Sequence, residues 1–206
     1  MYESSVAGPV VAIIDDDVAV RESLANLFKS VGINTRLFAG IDEFIATGAT
    51  ETTACVVLDV RLPGRSGIEF QHELRNVTSE MPIVFISGHA DVSLSVQAMK
   101  GGAIDFLTKP VREQDLLDAV HAALARDKNI RESRGNMDAL RMRFEGLSTR
   151  EREVMVAVVG GARNKQVAAR LGVSEATIKL HRSHVMSKMG AKSFADLVRM
   201  ADRLIS

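Results

Sequence analysis

Short apolar runs alternate with amphipathic stretches through the first 125 residues or so. The runs Val10 to Ile14, Thr35 to Phe38, Cys55 to Leu58, Ile83 to Ser87 and Ile104 to Leu107 are rich in β-branched and aromatic residues and predict five strands. Between them, Ala19 to Val31, Ile41 to Ala46, Gly67 to Asn76, Val92 to Lys100 and Glu113 to Leu124 place apolar residues at helical spacing. Alternation of this kind predicts a parallel sheet covered on both faces, because each crossover lays a helix against the sheet. The expected fold class is α/β: a five-stranded doubly wound parallel sheet.

The pattern changes twice beyond that point. From Arg126 to Arg143 the apolar stripe fades, Arg becomes frequent and Gly135 and Asn136 appear, which reads as an interdomain linker whose helicity is left open. From Phe144 onward no strand signal remains. Four short helices are expected there, separated at Gly160-Gly161, Gly172 and Gly190-Ala191, with Ser148, Asn164, Ser174 and Ser193 as their start signals. Ser148 with Glu151 has the spacing of a capping box. The expected organisation is therefore 1–125, a linker over 126–143, and a small all-α unit over 144–206.

Charge sharpens this division. The formal net charge of the chain is zero, yet residues 1–125 carry nine Lys and Arg against 17 Asp and Glu, net −8. Residues 126–143 carry six against three and residues 144–206 eleven against six, so the basic charge is gathered at the back. An acidic front can concentrate divalent cations, and a basic back can approach a polyanion such as DNA. The single cysteine, Cys55, lies inside "CVVLDV" and reads as a buried thiol. No basic leader with a long apolar stretch and no uncharged run approaching ~20 residues is present, so a cytoplasmic protein without membrane contact is expected.

The candidate chemistry lies where strands end. In open parallel sheets functional groups gather at the carboxyl ends of the strands. Here the first strand ends in Asp15, Asp16 and Asp17, the third in Asp59, the fourth in Ser87, and the fifth leads into Lys109 before Pro110. Clustered carboxylates repel by ~4 kcal/mol per close pair at intermediate dielectric, which calls for a cation. Mg²⁺ fits, since it takes oxygen ligands and commonly only one or two carboxylates while bridging to a phosphoryl group. A carboxylate such as Asp59 can attack a phosphoryl donor to give an acyl phosphate, with Lys109 stabilising charge on the transferring oxygens and Ser87 donating to the product.

The order "IIDDD", "VLDVRLPGRSG", "VFISGHA", "DFLTKP" in one alternating frame resembles the receiver domain of two-component response regulators, along essentially the full first 125 residues. The resemblance implies that Asp59 is the phosphoacceptor and that Asp16, Asp59 and the backbone carbonyl of Arg61 bind Mg²⁺, with Asp15 assisting through water. It implies that Ser87 and Lys109 contact the phosphoryl group, that Ser87 and Phe106 form the switch, and that Lys109-Pro110 is a cis peptide. Ser87 stands where Thr is frequent and keeps the hydroxyl. Phe106 stands where Tyr is frequent and keeps the ring without the phenol oxygen.

In the back unit, the helix after Asn164 turns through Gly172-Val173 into one beginning near Glu175, which is helix-turn-helix spacing. Ile178, Val185 and Met189 are expected to face the core. Thr177, Lys179, Leu180, Arg182, Ser183 and Lys188, with Lys165 on the preceding helix, are the candidate DNA contacts, basic groups toward phosphates and Leu180 toward a thymine methyl. His181 and His184 have no Cys nearby and no second ligand pair, so zinc is not expected. "LSTRE", "NKQVAARLGVSEATIK" and "HRSHVMSKMG" resemble the four-helix DNA-binding domain of the LuxR/NarL/FixJ class.

Together the two resemblances imply a phosphorylation-controlled transcriptional regulator and not an enzyme. They imply a sensor histidine kinase and double-stranded promoter DNA as partners, homodimerisation on phosphorylation through the surface around Val92 to Lys100 and Ile104 to Leu107, and RNA polymerase as a further candidate. Two rival readings are a constitutive DNA-binding dimer with a vestigial receiver, opposed by the intact acid, Ser and Lys set, and a metal-dependent phosphatase, opposed by the lack of a separate general acid near Asp59.

Overall fold

A computed structural model describes residues 8–77, 81–88 and 92–205, with the side chains of residues 75–77 and 205 excepted. His89 and Ala90 of the "VFISGHA" motif lie outside the described residues. The chain packs as two units, Met1–Ile130 and Arg131–Ser206.

In the first unit five strands, β1 (Val10–Ile14), β2 (Asn34–Phe38), β3 (Thr53–Asp59), β4 (Ile83–Ser87) and β5 (Asp105–Thr108), form one sheet in the order β2-β1-β3-β4-β5. Every pairing is parallel. Helices α1 (Val18–Ser30), α2 (Ile41–Ala46), α3 (Gly67–Val77), α4 (Val92–Lys100) and the start of α5 (Glu113–Glu145) supply the crossovers.

The two-residue period of a strand sends alternate side chains to opposite faces. Ala12, Ile14, Val56, Leu58, Ile83 and Phe85 join one core, which also takes Phe44 from α2, Phe70 from α3 and Ala98 from α4. Val11, Ile13, Cys55, Val57, Val84 and Ile86 join the other, which takes Phe28 from α1 and Leu116 and Val120 from α5. Each Val, Leu, Ile or Phe among them contributes about 1.5–3 kcal/mol on full burial, so these near-continuous apolar strands are what hold the sheet between two helical layers. Cys55 is wholly buried, and burial, then the charge of Asp127, pushes its thiol up out of reach of ionisation.

Helix α5 fills in what the sequence left open. Its apolar stripe fades after Leu124, but the helix continues unbroken for 33 residues. Gly135 and Asn136 lie inside it, at a cost relative to Ala of about 1 kcal/mol for the glycine and about 0.7 for the asparagine. No proline follows Pro110 in the chain, and the intervening residues are mostly Arg, Lys, Glu, Met, Leu and Ala, which are good helix formers. The helix begins in the core of the first unit; its last turns bring Leu140 into the core of the second, with Met137 and Phe144 packed alongside.

The second unit adds α6 (Thr149–Val159), α7 (Asn164–Leu171), α8 (Glu175–Met189) and α9 (Phe194–Ile205). Ser148 and Glu151 form the expected capping box, Ser174 caps α8, and Ser193 Oγ accepts from Asp196 N at 3.1 Å. Asn164 is not a cap: Arg163 occupies that position and α7 starts on Asn164 itself. Gly172 closes α7 at φ 66°, the left-handed conformation that a side chain would strain and that turns the chain into α8. Among the described residues no helix is long and apolar enough to cross a membrane.

Candidate functional site

The carboxyl edge of the sheet gathers the acidic residues and Lys109. Asp15 follows β1 and is fully buried; Asp59 ends β3 and is 7% exposed. Lys109, entering from the far side after β5, donates from Nζ to Asp15 Oδ2 and to Asp59 Oδ2, both at 2.6 Å. Backbone N–H groups complete the two carboxylates: Asp17 N donates to Asp15 Oδ1 and Arg61 N to Asp59 Oδ1, each at 2.9 Å. Lys109 is placed by the Lys109-Pro110 bond, which is cis, and by its own N–H, which donates to Ser87 O at 2.7 Å. Gly67 lets α3 pack tightly here, since a Cβ would stand 2.8 Å from the Asp59 carbonyl oxygen.

Electrostatics at this edge are unbalanced. Burial raises the Asp15 carboxyl above its ordinary range, and the hydrogen bonds from Lys109 and Asp17 only partly oppose it. Burial also works against the Lys109 ammonium, but hydrogen bonds and charge from Asp15 and Asp59 outweigh it and hold Lys109 above its ordinary value. Asp16 is exposed, and one carboxylate oxygen from each of Asp15, Asp16 and Asp59 lies within 4.8 Å of the others. Three carboxylates facing one ammonium leave a formal charge of −2. An all-oxygen donor set with that deficit fits a hard divalent cation such as Mg²⁺.

The remaining receiver candidates sit close by in the register. Asp59 pairs with Ile86 and Ser87 with Thr108, which places Ser87, fully buried, one residue beyond the level of Asp59 on the neighbouring strand. Phe106 is half-buried, packed against the core with its ring 6.3 Å from that of Phe85. Arg61 follows two residues after Asp59 and is exposed. Arg21 was not singled out by sequence: from α1 its Nη1 donates to the Asp15 carbonyl at 2.6 Å, a reach that no spacing signal announces.

In the second unit the expected core positions Ile178, Val185 and Met189 are all buried. At about 100° per residue the opposite face of α8 carries Leu180, Ser183 and Ser187, all exposed, with Leu180 at 55%. Lys179 on α8 and Lys165 on α7 are exposed as well.

Three other candidates are engaged within the protein. Thr177 is half-buried, and its N and Oγ1 both meet Ser174 Oγ, at 3.1 and 2.9 Å. Arg182 donates to Asn164 Oδ1 at 2.7 Å and stacks over the Phe194 ring at 5.3 Å. Lys188 Nζ donates to the buried Glu151 at 2.7 Å. The sequence marked Glu151 and Asn164 only as helix-start residues. Their second partners lie on α8, too far along the chain for local spacing to reveal.

A family profile described as the response regulator receiver domain matches residues 11–121, and one described as bacterial regulatory proteins, luxR family, matches residues 145–201. The chain belongs to the FixJ/NarL-type response regulators. Similar proteins include Nodulation protein W of Bradyrhizobium diazoefficiens, 50% identical over 195 residues that cover 95% of this chain and 86% of that protein. Transcriptional regulatory protein FixJ of Azorhizobium caulinodans is 42% identical over 191 residues, 93% of this chain and 90% of that one. Among solved structures, that of the response regulator StyR matches with a TM-score of 0.85 at 42% identity, covering 96% of this chain and 100% of that one. This response regulator therefore joins a receiver, which implies a histidine kinase as partner, to a luxR-type domain, which implies DNA. It is a phosphorylation-controlled transcriptional regulator; both profiles describe regulatory rather than enzyme families.

Proposed function

We propose that Asp59 is the phosphoacceptor and that its modification controls DNA reading by α8. The observation that carries this is the bridge from Lys109 Nζ to Asp15 and Asp59 at 2.6 Å each, an ammonium beside the carboxylate that would attack phosphorus. An Asp59 carboxylate oxygen forms a bond to phosphorus as the bond to the kinase's phosphohistidine nitrogen breaks, and that nitrogen keeps the electron pair. Lys109 follows the charge onto the phosphoryl oxygens, and the Ser87 hydroxyl donates to one of them. Asp16, Asp59 and the Arg61 carbonyl, with Asp15 behind them, would hold Mg²⁺, which supplies charge neutralisation for the transfer.

Repositioning of Ser87 and Phe106 then alters the face formed by α4 and β5. Val92, Val96 and Met99 of α4 are 76%, 44% and 47% exposed, an apolar stripe suited to a second copy of the receiver. Residues 1–125 act as the switch and 144–206 as the reader, with 126–143 as the helical connection, in a cytoplasmic protein that meets promoter DNA and, at the promoter, RNA polymerase. Moving a 1:99 equilibrium to 99:1 takes about 5.5 kcal/mol of differential stabilisation, so coupling has to be tight.

Sedimentation and selection of duplexes from a randomised pool, with Mg²⁺ and with or without acetyl phosphate, test the reading on wild type and Asp59→Asn. Dimerisation and tighter DNA binding only in donor-treated wild type are expected. Equal binding by both proteins in every condition would make the receiver vestigial and sink the proposal.

A further inference from the structure

Glu151 carries an ionised group where a neutral one would serve the helix. It stands at the third position of α6, 4% exposed, and closes the capping box by accepting from Ser148 N at 2.7 Å. A glutamine completes the same box. The charge instead meets α8: Lys188 Nζ donates to Glu151 Oε2 at 2.7 Å, and His184 Nδ1 lies 3.8 Å from Oε1. His184 and Lys188 are one turn apart on one flank of α8. On the other flank Arg182 is held by Asn164 of α7 at 2.7 Å. At the end of the helix, Arg143 Nη1 donates to Met189 O at 3.3 Å.

We propose that Glu151 is a positioning residue for DNA reading: through Lys188 it sets the roll of α8 about its own axis, and Lys188 is thereby withdrawn from the phosphate contacts. This rests on the reading of α8 as the DNA-facing helix. A 20° roll moves a side-chain tip at a radius of ~6 Å by about 2 Å, many times the few tenths of an ångström that a hydrogen bond to a base edge tolerates. Packing of Ile178, Val185 and Met189 opposes sliding of α8 away from the core, but apolar contact is non-directional and resists a roll weakly. The Glu151–Lys188 ion pair on one flank and the Arg182–Asn164 hydrogen bond on the other resist it in both directions. Lys188 bound to a buried carboxylate cannot also neutralise phosphate without leaving Glu151 without its ammonium partner. Of the basic candidates for DNA contact, Lys179 and Lys165, both exposed, are then left to meet phosphate.

The test uses the full chain treated with Mg²⁺ and acetyl phosphate. Its probes are a duplex that wild type selects from a randomised pool and an unrelated duplex of equal length, each titrated over a range of salt concentrations. Glu151→Gln keeps the capping box and removes the pair, and Lys188→Met keeps the aliphatic stem. Each is expected to lower the preference for the selected over the unrelated duplex ~10-fold, about the discrimination of one base pair; Lys188→Met leaves the unrelated duplex and the salt slope unchanged, whereas Glu151→Gln, which releases Lys188, binds both duplexes with a steeper slope. Glu151→Gln/Lys188→Met leaves no unpaired charge, so it folds even where a single variant fails, and it is expected to show the same loss as either single variant. Lys188→Arg is expected to restore binding.

A salt slope for Lys188→Met shallower by about 0.9, with both duplexes weakened equally, identifies a direct phosphate contact and overturns the proposal. Unchanged binding of the selected duplex by the double variant overturns it too. A wild-type chain that selects no duplex overturns the underlying reading of α8 instead.

Discussion

Both units bury carboxylates against a lysine, and the two arrangements differ in what they leave over. In the receiver a single Lys109 serves Asp15 and Asp59, with Asp16 nearby, and burial holds the Asp15 carboxyl above its ordinary range. In the DNA-binding unit Glu151 has Lys188 to itself. The hydrogen bond from Lys188, then the Ser148 N–H, brings its pKa down from 4.5 to about 2. The first cluster is short of positive charge and has the donor set to take a cation. The second is complete as it stands and serves to hold helices together. A buried carboxylate beside a lysine is thus a site or a strut according to whether the local charge closes.

The sharpest way to break the comparison is to remove each lysine. Lys109→Met leaves Asp15 and Asp59 facing each other without a cation, and the receiver is expected to lose on the order of 3 kcal/mol, much of it regained on adding Mg²⁺. Thermal melts with and without Mg²⁺ check this; a variant whose stability ignores the ion would mean that the acidic cluster does not take one. The C-terminal unit is expected to be insensitive to Mg²⁺ in either protein.

Acidification separates the units next. The Glu151 pKa is depressed on folding, so its stabilisation is fully present above about pH 4.5 and is lost as pH falls toward 2. The Asp15 pKa is raised on folding, so its ionised form costs stability near neutral pH, and that cost is relieved as pH falls through its folded value. Hydrogen exchange across acid pH, read separately on peptides from β1 and from α6, is expected to show α6 losing protection as the pH drops below 4.5. Matching protection losses in wild type and Glu151→Gln would remove Glu151 as the cause. The smallest effect is Ser148→Ala, which removes one half of the capping box and is expected to cost about 1 kcal/mol of the second unit's stability, measured by denaturant midpoint.

Much of this was legible in advance. The strand runs stood out because a strand buried on both faces is apolar at every position, so β1 and β4 have the bounds that pattern predicts. The carboxylates and Lys109 stood out because they interrupt or follow such runs at their carboxyl ends. Other features were not legible. The sequence left the helicity around Gly135 and Asn136 open, and two weak positions do not end a helix whose neighbours mostly favour it. Asn164 carries the chemistry of a cap and instead holds Arg182. Arg182 and Lys188 looked available because a helical wheel shows which face a residue occupies, but not which side chain of another helix already meets it; Thr177 is held by Ser174, the cap of its own helix.

What the sequence alone determined are properties set by local order along the chain: element type, the alternation that makes a parallel sheet, the acidic ends of strands, and helix starts with a neighbouring partner. Tertiary structure decided which charges meet. Lys109 reaches Asp15 across 94 residues and Lys188 reaches Glu151 across 37. Whether a charge is spare or spent depends on side chains brought within about 3 Å by packing, a distance that separation along the chain does not record.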